Sequence, residues 1–275
     1  MATERKDPPK GLVAQFSHLD RVIGQIGKYQ HHPLLSQEIA KRQQRTTHYR
    51  VSDPQVLAKL VEMVAYSNNV QVKTIETIYG TGAFDRIFGD YAPETVARLD
   101  PTDVLEFHWP QISGIRFKSK VRHMIHSAQC LLAIKAEHGS FMKYLKGKRI
   151  PSLIRTDAEL ELFWAGFDQV RGDLKAWGMP YFCNFTSLCH LFLEMGFDCA
   201  KPDSGVMKAA ANLGIIEGER TSTVFPEKRR RQVVQFLQWY AIHRQLRVSV
   251  VDLYFLIHGG QTGAARYVKP EYYGG

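Results

Sequence analysis

The chain has 275 residues, 44% of them hydrophobic, with 36 Lys and Arg set against 27 Asp and Glu for a net charge of +9. That length buries a substantial core and suits one compact two-lobed domain or two closely packed ones, while no apolar stretch approaches a membrane span, which excludes the membrane-spanning class. The basic balance, with a pI near 9.3, favours anionic partners.

In chain order, the opening residues MATERKDPPK are polar and expected to fray, and with no stretch approaching the length of a membrane span the chain reads as soluble and cytoplasmic. Asp53 and Pro54 start a helix, a cap followed by the residue that loses nothing at the first helical position, and Val56, Leu57, Leu60, Val61 and Val64 continue it at helical spacing. Similar starts occur at Pro93, Pro101 and Pro226, and Gly80, Gly82, Gly89, Gly147 and Gly196 punctuate helix ends. No pair of alternating apolar runs is long enough for a sheet, so the expected fold class is all-α, without internal repeats or low-complexity tracts. RIPSLIRT, residues 149–156, reads as the linker between lobes. Cys130, Cys183, Cys189 and Cys199 lack paired CxxC spacing and are expected as reduced thiols. Of the histidines His31, His32, His123 and His126, only the last two stand three apart on a helix; with no third ligand, neither a metal nor a cofactor is expected.

The most informative run is Met179–Ile216, MPYFCNFTSLCHLFLEMGFDCAKPDSGVMKAAANLGII. Pro180, Asn184 and Thr186 form a turn that opens a helix with Leu188, Leu191, Phe192 and Met195 on one face, and Gly196 ends it. The short connection FDCAKP then delivers Asp203 to the start of another helix, where its carboxylate either caps free N–H groups or points into a cleft.

This run resembles the helix-hairpin-helix DNA glycosylase superfamily, whose pattern is roughly L-P-G-V-G-x-K-T-A, a helix, an apolar link, then V-D-T-H-V and a further helix. Pro180 falls on the hairpin proline, Thr186 on the hairpin threonine and Asp203 on the catalytic aspartate. Tyr181 and Cys183 replace the two hairpin glycines, and Phe185 replaces the lysine that forms a Schiff base with the sugar. A second stretch, Leu60 to Leu145, contains LVEMVAYSNNVQVKTI, GAFDRIFGDYAPETVARLDPTDV, ISGIRFKSKVRHMIHSAQ and GSFMKYL in that order. It resembles the amino-terminal half of the 3-methyladenine DNA glycosylase I family, with Ser67 near the place of that family's glutamate and without its terminal zinc ligands.

The resemblance implies a two-lobed helical fold with the active site in the cleft between lobes. It divides the chain into an N-terminal helical extension (1–51), a glycosylase core with a degenerate hairpin (52–216) and C-terminal helices (217–275). The implied activity is a monofunctional DNA glycosylase that flips a damaged or modified base out of double-stranded DNA and hydrolyses it away, leaving an abasic site. Removal of hypermodified bases from foreign (phage) DNA, or non-catalytic DNA binding on the same scaffold, are the alternatives. Asp203 would be the catalytic carboxylate. Tyr66, Ser67, Asn68, Asn69, Trp109, Tyr181 and Phe182 would line the base pocket or assist flipping, Phe107 and Trp164 being further aromatic candidates. Arg116, Lys118 and Lys120 in IRFKSK, with Cys183, Asn184 and Thr186 of the hairpin, would contact DNA, and Lys228 and Arg229 to Arg231 form a second basic cluster. The expected partner is duplex DNA and the expected state a monomer.

Overall fold

A computed structural model describes residues 10–28, 33–68, 70–217 and 225–259; Asn69, His31, His32 and the polar residues 1–9 lie outside the described residues. These form α1 (Val13–Gly27), α2 (Pro33–Gln44), α3 (Asp53–Ala65), α4 (Val72–Gly80), α5 (Ala83–Phe88), α6 (Pro93–Val96), α7 (Pro101–Ile112), α8 (Ser119–His138), α9 (Phe141–Gly147), α10 (Asp157–Ala176), α11 (Phe185–Glu194), α12 (Ser204–Asn212), α13 (Glu227–Arg244) and α14 (Val248–His258). Two 3-10 turns complete the set, and there is no strand among the described residues. The all-α expectation is met. None of these helices is long and apolar enough to cross a membrane.

The chain forms two compact units, one within Met1–Thr47, Pro151–Phe163 and Phe192–Gly275, the other within His48–Ile150 and Trp164–Leu191. One crossing, between Ile150 and Pro151, falls inside RIPSLIRT.

In the second unit α8 is a 20-residue spine against which α3, α6, α7 and α9 pack. Its end is set by Gly139 at φ 81°, and Ser140 then caps α9 by accepting the Lys143 N–H at 3.1 Å. The start of α3 differs in detail from the sequence expectation. Ser52 occupies the cap position, its N–H donating to Gln55 Oε1 at 2.9 Å, with Pro54 in the first turn. Asp53 instead turns inward and accepts the Phe141 N–H at 3.0 Å, supplying a partner to the otherwise open first turn of α9. Asp100, one residue before the Pro101 start, caps α7 by accepting the Thr102 N–H at 2.6 Å.

In the first unit α14 is buried along almost its whole length, from Val248 to Ile257, and packs on α1, α2, α12 and α13. A helix apolar on every side belongs in a core. Around it the other helices are pinned by polar contacts. Asp20 on α1 accepts from Tyr240 Oη at 2.6 Å and from Arg244 on α13. Buried Asp198 accepts from Arg247 Nε at 2.7 Å and from the Ile154 N–H at 3.0 Å, and Arg247 also donates to the carbonyls of Arg45 and Gly196. Gly196, at φ 88°, passes so close to residue 46 that a Cβ there would lie 2.5 Å from the Thr46 carbonyl oxygen. The helix stop read from the sequence is therefore also a backbone contact that only glycine allows.

Candidate functional site

Asp203 lies in the first unit as the N-cap of α12, in extended backbone at φ −82° and ψ −179°. Its Oδ1 accepts the Gly205 and Val206 N–H groups at 3.0 and 3.2 Å. The cap uses one oxygen. The other, Oδ2, stands 3.7 Å from the Lys201 ammonium, and the side chain keeps about 25% of its surface exposed. Capping and a functional role are therefore not exclusive: the cap fixes the orientation of a carboxylate that still meets solvent.

Behind this carboxylate sits a second one. Asp252, on α14, is fully buried; Oδ1 accepts the Lys201 N–H at 3.0 Å and Oδ2 accepts from Arg42 on α2 at 3.0 Å. Arg42 is itself held by Glu38 at 2.8 Å and by the Ser249 carbonyl at 2.8 Å, and Ser249 Oγ donates back to the Arg42 carbonyl. Burial pushes the Asp252 carboxyl up to about 6, against the pull of Arg42, and the charge of Asp203 adds to the rise. The same unit holds a cavity of about 260 Å³ lined by Leu12, Leu160, Ile215, Phe236 and Trp239, none of them a residue singled out from sequence.

The hairpin lies in the second unit. After Gly178 at φ 70°, the Met179 N–H closes back on the Leu174 carbonyl, and the chain turns through Pro180–Asn184 into α11. Tyr181 is left-handed, at φ 64°, at the position where the superfamily pattern has its first glycine. A side chain in this region costs about 1–2 kcal/mol. The Phe182 and Asn184 amides donate within the turn, to Pro180 at 2.6 Å and Tyr181 at 3.2 Å, and Arg171 Nε donates to the Cys183 carbonyl at 3.0 Å. Those two amides are thus used internally, and Tyr181 and Cys183 retain the amides that lie outside these turn bonds. Asn184 is exposed and Thr186 half-buried. Phe182 is fully buried, edge-on to Tyr181 at 5.0 Å, so it can wall a pocket only from beneath. Phe185, in the lysine position, is a core residue stacked on buried Trp164 at 6.1 Å.

At the end of α3, Tyr66 and Ser67 are half-buried and Asn68 is exposed with φ 58°. Lys120 corrects the sequence expectation. It is 2% exposed, and its ammonium donates to the Ala65 and Ser67 carbonyls at 3.0 and 2.7 Å. It meets the open carbonyls of a helix end instead of a phosphate, because the packing of α8 on α3 turns it inward. Burial pushes its pKa down to about 8, helped by the charge of Arg116. Arg116 and Lys118 are exposed, the guanidinium 5.6 Å from the Phe117 ring and the ammonium 5.7 Å from that of half-buried Trp109. Phe117 is 44% exposed and Phe107 67%. Arg116, Phe117 and Lys118, with Trp109 beneath the Lys118 ammonium, make a cationic, aromatic surface on one unit, and Phe107, two residues from Trp109 on α7, is exposed on another face of that helix. Phe117 went unnoticed in the sequence, where its one signal is an aromatic letter inside a basic run. EKRRRQ forms the start of α13, with Lys228 exposed and Arg229 to Arg231 half-buried. Among the described residues no group of three or more His, Cys, Asp or Glu could hold a metal ion.

The Lys120 arrangement has a pH signature. Its pKa falls from 10.5 unfolded to about 8 folded, so the unfolded chain binds more protons between these values. The group's contribution is then fully present above the unfolded pKa and is lost as pH falls through the folded one. The stability of wild type relative to Lys120→Met should therefore rise between pH 8 and about 10, at about 1.4 kcal/mol per unit of displacement. Urea unfolding of both proteins across that range checks it; parallel pH curves would contradict it.

A family model described as methyladenine glycosylase matches residues 48–194. The match takes in the α3 end, the Arg116–Lys120 segment and the hairpin, and it stops before Asp203. No curated protein and no solved structure matches the chain.

Proposed function

The chain belongs to the methyladenine glycosylase family, a family of DNA glycosylases, and from that premise we propose that it is a monofunctional enzyme. It hydrolyses the N-glycosidic bond of a damaged or modified base in duplex DNA and leaves an abasic site. The observation that carries the catalytic part is the divided use of Asp203: one oxygen is bound by the amides that start α12, and the other stays beside Lys201 at a partly exposed position. As the base departs, positive charge develops on the deoxyribose, as in other glycoside cleavages. A fixed carboxylate about 4 Å away contributes roughly 4 kcal/mol at an effective dielectric near 20, about a thousandfold in rate. It also orients or deprotonates the attacking water.

Strand cleavage through a Schiff base is not part of this proposal, because Phe185, a buried ring, occupies the place of the lysine nucleophile. The extruded base would meet Tyr66, Ser67 and Trp109, with Asn68 near the gap it leaves and Tyr181 presented by the strained turn. Arg116 and Lys118 supply phosphate contacts, and Asn184, Thr186 and the Cys183 amide supply polar ones. Non-catalytic DNA binding remains the second reading, favoured by Ser67 standing where the family carries a glutamate.

Incubation with duplexes that each carry one modified base, followed by alkali, tests the reading. Asp203→Asn should lower base release by at least about two orders of magnitude with duplex affinity kept. Asparagine caps as well as aspartate, so the melting temperature should not move. Equal activity of wild type and variant would reject the role, and borohydride trapping of wild type would redirect it to Lys201 as a nucleophile. For the binding surface, the double variant Arg116→Ala, Lys118→Ala should reduce the salt dependence of duplex binding by roughly two units of slope, about 0.9 for each phosphate that is no longer neutralised. An unchanged slope would place the anion-binding surface elsewhere.

A further inference from the structure

Asp252 presents a physical problem. An ionisable group inside an otherwise apolar helix is costly, and replacing a buried ion pair by apolar residues of similar size is often neutral or stabilising. The Arg42–Asp252 pair is therefore poorly explained as a contribution to stability. Its local bonding suggests another purpose. Asp252 Oδ1 grips the Lys201 amide at 3.0 Å, two residues before Asp203. Between them lies Pro202, whose ring fixes φ, and the Asp203 N–H closes on the Lys201 carbonyl at 2.8 Å. Beyond Asp203, the Gly205 amide binds the carboxylate, and the Gly205 carbonyl lies so close to Gly259, just past the end of α14, that a Cβ on Gly259 would collide with it. The segment that carries Asp203 is thus met at two places, by Asp252 within α14 and by the backbone of Gly259 just past its end.

We propose that Asp252, held by Arg42, is a positioning residue for Asp203: it anchors the Lys201 amide and so fixes where the functional carboxylate stands. The inference rests on the assignment of Asp203 above. It gives a task to α2 and α14, which lie outside the matched 48–194 region and which no sequence motif explained. Asp252 does not contact substrate; it acts through the backbone of its neighbour.

The test uses the full chain and a duplex from which wild type releases base, in single-turnover assays with wild type, Asp203→Asn, Asp252→Asn and the double variant. An amide has one acceptor oxygen for two donors, so Asp252→Asn must forfeit either the Lys201 or the Arg42 bond. A displacement of about 1 Å at the reacting centre costs up to roughly a hundredfold. The expected result is a ten- to hundredfold slower release for Asp252→Asn with duplex affinity unchanged, and no further loss when it is added to Asp203→Asn. A further variant, Arg42→Met with Asp252→Leu, separates positioning from folding: it should melt at or above the wild-type temperature and still release base slowly. Wild-type rates in both Asp252 variants, with Asp203→Asn inactive, overturn this inference alone. So does an equal additional loss in the Asp203→Asn background, or an apolar pair that fails to fold, since either makes the pair structural. Full activity of Asp203→Asn overturns the assignment of Asp203 and this inference with it.

Discussion

Asp252 has no solvent with which to share its charge, and every oxygen contact it makes is therefore decisive. One oxygen faces Arg42, the other the Lys201 amide. In a core of Val, Leu, Tyr and Phe from α14, such a pair holds only if both bonds are made, because an unpaired buried charge costs several kcal/mol. In the folded first unit, α2, α14 and the approach to α12 therefore meet at this one side chain. The partly exposed carboxylate of Asp203 is the outward end of that arrangement.

The same device recurs in both units at a smaller scale. Where helices meet through irregular backbone, one buried polar side chain binds the main chain of a distant segment. Lys120 closes the end of α3, Asp53 the start of α9, and Asp198 with Arg247 ties residues 45, 154 and 196 to the start of α14. In an all-helical protein the open N–H and C=O groups of each helix end need partners, and these side chains bond directly to several of them. The carbonyls that Lys120 binds, those of Ala65 and Ser67, belong to the stretch carrying Tyr66, Ser67 and Asn68, which are proposed above to meet the extruded base or the gap it leaves.

Helix starts were legible because proline and cap residues act within a turn of where they stand; Pro93, Pro101 and Asp203 all behave so. The turn that opens α11 was legible, since Pro180 and the helix that follows mark it, and Tyr181 takes the left-handed conformation there although it is not glycine. What escaped depends on packing between segments far apart. Lys120 looks the same in IRFKSK whether it faces phosphate or a helix end, and only the docking of α8 on α3 decides. Ser52 and Asp53 are both capping residues, and the fold assigns the cap to one and a distant amide to the other. Arg42 and Asp252 are 210 residues apart, and nothing local marks them as partners. Phe117 reads as core by its letter and stands exposed.

Base excision requires a grip on phosphate, faces for an extruded base and negative charge for a cationic sugar, the roles proposed here for Arg116 and Lys118, for Tyr66 and Trp109, and for Asp203. The central claim is hydrolysis, with the sugar–phosphate strand left whole. The most direct measurement quantifies free base, abasic sites and strand breaks in one reaction on methylated duplex DNA, by mass spectrometry and by gel before and after alkali. The account predicts one released base per abasic site and no breaks before alkali. Tight duplex binding without released base, or breaks that match the abasic sites before alkali is added, would contradict it.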